Sequence, residues 1–275
     1  MFLDCAGKTL DLSTPQVMGV LNVTPDSFSD GGSWSTLDAA ISQAEAMVEQ
    51  GAAIIDIGGE STRPGAPAVS VEDELARVLP VIEVLAPRLP VPISIDTSKP
   101  EVMRAAAAEG VGLINDVLAL QAKRALAAAA ELNLPVCLMH MQGSPRTMQQ
   151  DPQYVDVVSD VAGFLAHRAA AAISAGVAKQ NILLDPGFGF GKTVEHNYQL
   201  LAGLERLPEA FPLLVGMSRK SMLGAILDKP VDQRLHAGVA AATIAAMKGA
   251  AVIRTHDVAE TVDALKITSA TLRGE

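Results

Sequence analysis

Eight short and almost uninterrupted apolar runs alternate with longer alanine-rich segments along the 275-residue chain. The runs cover residues 17–23, 54–57, 93–95, 113–114, 135–139, 182–184, 213–215 and 251–253. A strand that is apolar at every position, rather than at every second one, is buried on both faces, which is typical of a parallel sheet. The chain is thereby limited to folds in which helices cover parallel strands.

Helical patterns fill the intervals, at residues 37–50, 71–86, 100–109, 122–132, 154–175, 194–204, 236–248 and 258–272. Gly51, Gly110, Gly176 and Gly249 follow four of these segments, as glycines that end helices do, and Pro100 suits a first helical turn. Eight alternating strand–helix units predict an α/β fold, a (β/α)8 TIM barrel. A doubly wound open sheet is the competing fold, but no Gly-x-Gly-x-x-Gly follows the first strand.

The composition indicates one large core and a limited set of partners. Hydrophobic residues make up 49% of the chain and no linker-like composition interrupts it, so we expect residues 1–275 to form a single domain. The net charge of −10 and the aromatic content of 3% argue against nucleic acid and anionic membranes as partners. The longest suspicious apolar run, 237–247, is too short to span a bilayer.

The first residues of the sequence and its two cysteines predict the cellular compartment. The first residues carry Asp4 and Lys8 where a secretory signal would be apolar. Cys5 and Cys137 cannot build a disulfide framework, and no Cys-x-x-Cys occurs. We therefore expect a reducing, cytoplasmic setting.

Polar residues stand at the ends of nearly all the predicted strands. They are Asn22, Asp56, Asp96, Asn115, His140, Asp185, Ser218, Arg254 and His256. The carboxyl ends of barrel strands meet on one face, where barrel enzymes place their active sites. One such residue alone is usually a helix cap or a turn former, but so many at corresponding positions predict a site.

The carboxylates Asp56, Asp96 and Asp185 leave two interpretations open. Three carboxylates could hold a divalent metal ion through oxygen ligands. Together with Asn22 and Asn115, they could instead accept hydrogen bonds from a flat heterocycle that carries several N–H donors. Residue types alone do not separate the two, although the scattered histidines argue against zinc.

A second, cationic group follows the last two predicted strands. Residues 216–221 read Gly-Met-Ser-Arg-Lys-Ser and lead into a short apolar helix at 222–227, while residues 254–257 read Arg-Thr-His-Asp. Barrels often bind phosphate in this place, at the N-terminus of a short extra helix. The pattern predicts a phosphorylated substrate.

Three glycine-hinged segments remain. Residues 187–193 end in Gly-Lys-Thr, but Pro186 stands where a P-loop needs glycine, so we interpret them as a flexible turn that presents Phe188 or Phe190 to the cavity rim. Residues 22–32 and 58–66 are longer and more polar than a connection requires, which makes both candidate lids.

Eight motifs in order resemble the dihydropteroate synthases. They read MGVLNVTPDSFSDGG, DIGGESTRPGA, SIDTSKP, IND, LMHMQG, DPGFGFGK, GMSRKS and RTHDV. The motifs cover all the predicted strand ends, so the resemblance extends over essentially the whole chain. It implies an enzyme of folate synthesis, a transferase that joins p-aminobenzoate to 6-hydroxymethyl-7,8-dihydropterin pyrophosphate and releases pyrophosphate and 7,8-dihydropteroate.

The resemblance also implies residue roles. The pterin would bind Asp56, Asp96, Asn115, Asp185 and Lys220. The pyrophosphate would bind Asn22, Thr62, Arg254 and His256, with Asn22 also a ligand of a Mg²⁺ cofactor. The p-aminobenzoate would bind Pro25, Phe28, Thr62, Arg63, Pro64, Phe190, Ser218, Arg219 and Lys220. The catalytic group would be Asp96, Asp185, Lys220, Arg254, His256 and the lid pair Asp30 and Arg63.

The family's reaction implies loss of pyrophosphate before attack by the arylamine, which agrees with the apparent absence of a Ser–His–Asp arrangement from the sequence. The resemblance further implies a homodimer and inhibition by sulfonamides. Two alternatives are a barrel that transfers methyl from methyltetrahydrofolate to a corrinoid protein and a pterin-binding barrel without activity. The first would not need the cationic residues after the last two strands, and the second would have lost the lid or phosphate residues.

Overall fold

A computed structural model describes residues 1–24, 33–61, 65–144 and 147–274, without the side chains of 33–36. Its centre is a closed barrel of eight parallel strands, which confirms the predicted TIM barrel. The barrel strands are β3 (Gln16–Asn22), β4 (Ile54–Gly58), β5 (Ile93–Asp96), β6 (Leu113–Asp116), β7 (Val136–Met139), β8 (Ile182–Asp185), β9 (Leu213–Gly216) and β10 (Ala250–Thr255).

Helices cover the outside of the barrel. They are α1 (Ser33–Glu49), α2 (Val71–Leu85), α3 (Pro100–Ala108), α4 (Ala125–Leu132), α5 (Val157–Ser174), α6 (Val194–Ala202), α7 (Ser221–Leu227), α8 (Leu235–Met247) and α9 (Val258–Arg273). The glycines after α1, α3, α5 and α8 all adopt positive φ, as the predicted helix ends require. Among the described residues, no helix is both long and apolar enough to cross a membrane.

Each strand is buried on both faces, which explains the unbroken apolar runs. In β4, Ile54 packs inside the barrel, while Ile55 and Ile57 pack against the helices. The inward position between them is Asp56, which is fully buried. The barrel interior is therefore apolar toward the strand starts and becomes polar toward the strand ends.

An N-terminal hairpin, absent from the sequence prediction, closes the barrel where the strands begin. Strands β1 (Phe2–Cys5) and β2 (Lys8–Asp11) pair antiparallel, and Leu3, Cys5 and Leu10 pack into the interior cluster with Met18 and other strand residues. The Lys8 ammonium donates to the carbonyl oxygens of Ala86 and Leu89, each at 2.8 Å. One end of the barrel is thereby sealed, and the opposite end carries the polar residues.

Helix α4 begins three residues later than predicted because a carboxylate organises the preceding loop. The buried Asp116 accepts hydrogen bonds from the backbone N–H groups of Leu118 and Leu120, both at 2.8 Å. Ala119 and Leu120 lie in the left-handed region, which ends any helical path there.

Candidate active site

The register of the strands brings three of the predicted residues to one level of the barrel. Asn22 pairs laterally with Gly58, Gly58 with Asp96, and Asp96 with Asn115. Side chains at paired positions of parallel strands point to the same side of the sheet. The strand ends therefore place Asn22, Asp96 and Asn115 around the same mouth, with Asp56 two residues below Gly58 on β4.

Arg254 ties the carboxylates of this mouth together. Its Nε donates to Asp56 Oδ2 at 2.6 Å, and its Nη2 donates to Asp96 Oδ2 at 2.9 Å. The Asn115 amide donates to the same Asp56 oxygen at 3.1 Å. The other Asp56 oxygen is buried without a partner among the described residues, which costs about 1–3 kcal/mol. One cation from β10 thus holds two acids from β4 and β5.

Several acceptor oxygens at the mouth remain unused. Within the described residues, Asp96 Oδ1 and the Asn115 side-chain oxygen accept no hydrogen bond. At the end of β8, Asp185 Oδ1 accepts a hydrogen bond from the Gly187 backbone N–H at 2.7 Å. Its Oδ2 also accepts no hydrogen bond from the described residues. Acceptors that converge from three strands suit a ligand whose edge carries several N–H donors.

Burial shifts the ionisation of these groups. It raises the pKa of Asp96 to about 7, a rise that Arg254 opposes. It also raises the pKa of Asp185, against the attraction of Lys220. Burial lowers the pKa of Lys220 to about 8, and Asp185 counteracts that fall. Burial acts to lower the pKa of Arg254, but the neighbouring Asp56 and Asp96 together outweigh it and raise the pKa, so Arg254 keeps its proton.

The glycine turn, residues 187–191, is held in place, so the prediction of a flexible turn is wrong. Its carbonyl oxygens accept hydrogen bonds from the side chains of Lys192, Lys220, Gln149 and Tyr154. Its backbone N–H groups at Gly187 and Gly189 donate to Asp185 and Asn197, both at 2.7 Å. Except for Lys192, the side-chain donors come from distant parts of the chain, and local sequence cannot reveal these contacts.

Glycine is required at both ends of this turn. Gly187 and Gly191 have φ of +66° and +61°. A Cβ at Gly187 would lie 1.9 Å from the carbonyl oxygen of His140, and one at Gly191 would lie 2.4 Å from that of Gln142. The chain can approach the 140–142 segment this closely only without side chains.

Of the two phenylalanines in the turn, only Phe190 lies near the mouth. The sequence left Phe188 and Phe190 as alternatives for the rim, and Phe188 is fully buried in the core. The Lys220 ammonium lies 4.6 Å from the centre of the Phe190 ring, a cation–π contact. Lys220 also donates to the Phe188 carbonyl oxygen, so the turn and Lys220 fix each other.

The cationic residues after β9 and β10 form a second group. Ser218 Oγ lies 3.1 Å from His256 Nδ1 and donates to Asp257 at 3.4 Å. Arg219 donates to Asp257 at 2.6 Å. Serine, histidine and aspartate do meet here, contrary to the sequence analysis. They are not arranged as a triad, because Asp257 accepts hydrogen bonds from Ser218 itself and from Arg219.

The donor set restricts the kind of metal site that Asn22 could serve. Among the described residues, no three His, Cys, Asp or Glu side chains could hold a metal ion, and Arg254 already binds Asp56 and Asp96. The Asn22 side chain takes part in no hydrogen bond of the described residues. A single amide oxygen fits a Mg²⁺ ion held mainly by substrate phosphate and water, not a protein cage.

The remaining predicted contacts lie outside the described residues. They are Pro25, Phe28, Asp30, Thr62, Arg63 and Pro64. Their roles stay predictions.

Two groups of buried charges were not expected from the sequence. Lys99, which precedes α3, pairs with Glu60 at 2.5 Å and with the fully buried Glu74. Lys192, noted only as part of the failed P-loop pattern, is 3% exposed and lies 2.9 Å from His140 Nδ1. The sequence does show each lysine beside an apolar or glycine-rich segment, which could have indicated a buried charge. The partners of these lysines are distant in sequence and could not be predicted.

Removing Arg254 tests the central ion pairs. We expect Arg254→Met to lose about 3–5 kcal/mol of unfolding free energy at pH 8, because two buried carboxylates lose their cation. The loss should be smaller at pH 5. The folded-state pKa of Asp96 already exceeds its unfolded value and would rise further, so protonation relieves the cost as pH falls.

Urea unfolding of Arg254→Met and of Arg219→Met at both pH values measures this. Arg219 is a matched control because it pairs with Asp257 from a side chain that is 47% exposed, and such pairs contribute about 0–1 kcal/mol. Equal losses in the two variants, or a loss independent of pH, would contradict the assignment.

Comparison with known proteins agrees with this geometry. The family described as "Pterin binding enzyme" matches residues 18–256. The chain is 56% identical to the dihydropteroate synthase of Haemophilus influenzae over 272 residues, which cover 98% of this chain and 99% of that protein.

Solved structures of such enzymes superimpose over the whole chain. Yersinia pestis dihydropteroate synthase in a sulfonamide drug complex has a TM-score of 0.95 and 56% identity, covering 99% of this chain and 100% of that one. The Xanthomonas albilineans enzyme in complex with 7,8-dihydropteroate has a TM-score of 0.91 and 50% identity, covering 99% of both chains. The chain belongs to the dihydropteroate synthase family of pterin-binding transferases.

Proposed function

We propose that the chain condenses 6-hydroxymethyl-7,8-dihydropterin pyrophosphate with p-aminobenzoate. The bond from the pterin methylene carbon to the pyrophosphate oxygen breaks, and a bond from that carbon to the arylamine nitrogen forms. The amine loses one proton, and the products are 7,8-dihydropteroate and pyrophosphate. The observation that carries this proposal is the set of unused acceptor oxygens on Asp96, Asn115 and Asp185 at one barrel mouth.

The pterin ring suits this mouth chemically. Its edge carries several N–H donors, which the oxygens of Asp96, Asn115 and Asp185 can accept. Lys220 lies beside Asp185 and donates to the ring's acceptor atoms. Asp56 holds Asn115 and Arg254 in position from below and completes the pterin pocket.

Departure of pyrophosphate needs positive charge at the same mouth. Two of the five N–H groups of Arg254 bind Asp56 and Asp96, and three have no partner among the described residues. We assign these three, with His256, to the leaving group. Mg²⁺, when bound by Asn22 and the pyrophosphate oxygens, neutralises part of the leaving group's charge. Thr62 completes the phosphate contacts.

The loss of pyrophosphate leaves a cation on the pterin methylene. The carboxylates of Asp96 and Asp185 stabilise it through their field and need no covalent bond. The arylamine is already a nucleophile, so its site has to position it rather than deprotonate it. This explains why the Ser218–His256 contact needs no triad geometry.

The p-aminobenzoate site is assigned next to the leaving group. Phe190, beside Lys220, offers an aromatic face to the benzene ring, and Ser218 and Arg219 offer donors to the carboxylate. Arg219 would have to exchange Asp257 for the substrate. The other assigned contacts, outside the described residues, are Pro25, Phe28, Thr62, Arg63 and Pro64, with Asp30 and Arg63 as the lid pair. Sulfonamides share the arylamine and an acidic group, so we assign them to this site as inhibitors.

We further propose that two copies of the chain associate through the C-terminal helices. Large apolar side chains are exposed there: Ile226 and Leu227 on α7, Ile244 and Met247 on α8, and Ile267 and Leu272 on α9. Helix α8 carries almost no polar residue to solvate its outer face. A second copy offers the same surface, as a two-fold interface requires.

Light scattering tests the dimer. The wild-type chain should have twice its monomer mass of 28.6 kDa. We expect Met247→Glu combined with Ile267→Glu to give a monomer, because burying two carboxylates in an apolar interface is costly. Ile173→Glu on α5, where another apolar side chain is exposed, is the control and should stay dimeric. A wild-type monomer would reject the proposal.

A cytoplasmic location and a single domain are also proposed. Cys5 and Cys137 are both buried thiols without a disulfide, which suits a reducing compartment. The hairpin that seals the barrel supports one domain over residues 1–275. Recovery of the chain from an oxidising compartment, or proteolytic release of a stable fragment, would count against these two assignments.

Pyrophosphate release by the purified chain tests the activity. With Mg²⁺ and the dihydropterin pyrophosphate, we expect release that requires or is strongly stimulated by p-aminobenzoate, and dihydropteroate in equal amount. Omitting the arylamine is the control. Tight binding of the pterin without turnover would make the chain a binding protein, and the absence of binding would reject the proposed function.

A further inference from the structure

The glycine turn has an unusual number of side-chain donors on its backbone. Five consecutive carbonyl oxygens, from Gly187 to Gly191, each accept a hydrogen bond from a side chain. Most turns satisfy such groups with water or with the local backbone. A turn held at every carbonyl is fixed in one conformation.

Lys192 supplies two of these five contacts and occupies the centre of the turn. Its ammonium donates to Gly187 O at 2.9 Å and to Phe190 O at 3.0 Å, and it lies 2.9 Å from His140 Nδ1. Three partners match the three N–H donors of an ammonium. The side chain bridges Gly187 and Phe190, and no other side chain of the described residues donates to two carbonyl oxygens of the turn.

Lys192 and its partner His140 are both buried. Lys192 is 3% exposed and His140 is 5% exposed. Burial lowers the pKa of Lys192 and brings that of His140 to about 3, so the imidazole stays neutral and can accept. Lys192 has a complete set of internal partners. It acts on the site by holding the turn and by the attraction between its charge and Asp185.

The glycine turn also contacts two residues that are assigned to pterin binding. The Gly187 N–H donates to Asp185 Oδ1 at 2.7 Å, which orients that carboxylate. The Phe188 carbonyl accepts from Lys220, whose ammonium also lies over the Phe190 ring. A change in the path of residues 187–190 would therefore move Asp185 and Lys220 together.

We propose that Lys192 is a positioning residue, which fixes the glycine turn and through it sets the Lys220 ammonium and the Asp185 carboxylate for the pterin. This inference rests on the proposed function, since it assigns Lys192 to the same site. Lys192 touches neither substrate. In the sequence, Lys192 was notable only because it belongs to an incomplete P-loop pattern. The contacts in the structure support a different role.

Binding of the dihydropterin pyrophosphate, measured by titration calorimetry without p-aminobenzoate, tests the proposal. We expect Lys192→Met to weaken binding on the order of 10- to 100-fold, the cost of small misplacements in a site. Lys248→Met is the matched control, because Lys248 also donates to a backbone carbonyl and to a carboxylate, but on the outer surface. It should bind within about twofold of wild type.

A double-mutant cycle separates positioning from general loss of stability. In a Lys220→Met background, Lys192→Met should weaken binding much less than it does in the wild-type background, because its effect passes partly through Lys220. Hydrogen exchange should also become faster at the amides of residues 187–191 in folded Lys192→Met, while the barrel strands keep their protection. A purely structural role would give additive losses and faster exchange throughout.

Lys192→Gln, which keeps one donor group, provides a second variant should Lys192→Met fail to fold. It should give an intermediate loss of affinity. Wild-type affinity in either folded variant, or an undiminished effect in the Lys220→Met background, would overturn the inference. If the wild-type chain binds the pterin without turnover, the proposed reaction fails, while the binding and exchange results still decide the role of Lys192.

Discussion

The guanidinium of Arg254 is the constraint on which the rest of the site depends. It joins Asp56 of β4 and Asp96 of β5 to β10, and it does so where the barrel is no longer filled with apolar side chains. Buried ion pairs of this kind give little net stability, because desolvation offsets the attraction. Their value here is geometric: one cation aligns two acids and leaves further oxygens available to a ligand.

One end of the barrel contributes stability, and the other end carries the candidate active site. At the strand starts, the hairpin residues Leu3, Cys5 and Leu10 complete an apolar plug. At the strand ends, acids, an amide and cations share a small space, and one buried oxygen of Asp56 has no partner in the part of the chain that the structure describes. Apolar packing at the sealed end offsets the free-energy cost of burying polar groups at the other end, because the strands join both ends in one continuous core.

The sequence predicted those features of the fold and the site that depend on residues close together in the chain. Apolar runs located the barrel strands because those strands are buried on both faces, and the strand ends located Asp56, Asp96, Asn115 and Asp185 at one mouth. The hairpin escaped prediction because each of its strands has only four residues, too few for a clear pattern, and because it is held in place by packing against the barrel interior. Long-range contacts could not be seen at all: the glycine turn was expected to be flexible because its donors, such as Tyr154 and Lys220, come from other elements.

A crystal structure with the dihydropterin pyrophosphate tests the central claim most directly. We expect ring N–H groups about 3 Å from the free oxygens of Asp96, Asn115 and Asp185. We also expect that Arg254 keeps Asp56 while its remaining N–H groups face the pyrophosphate. A pterin bound elsewhere, or bound at this mouth with its N–H edge turned away from the three acceptors, would contradict the account.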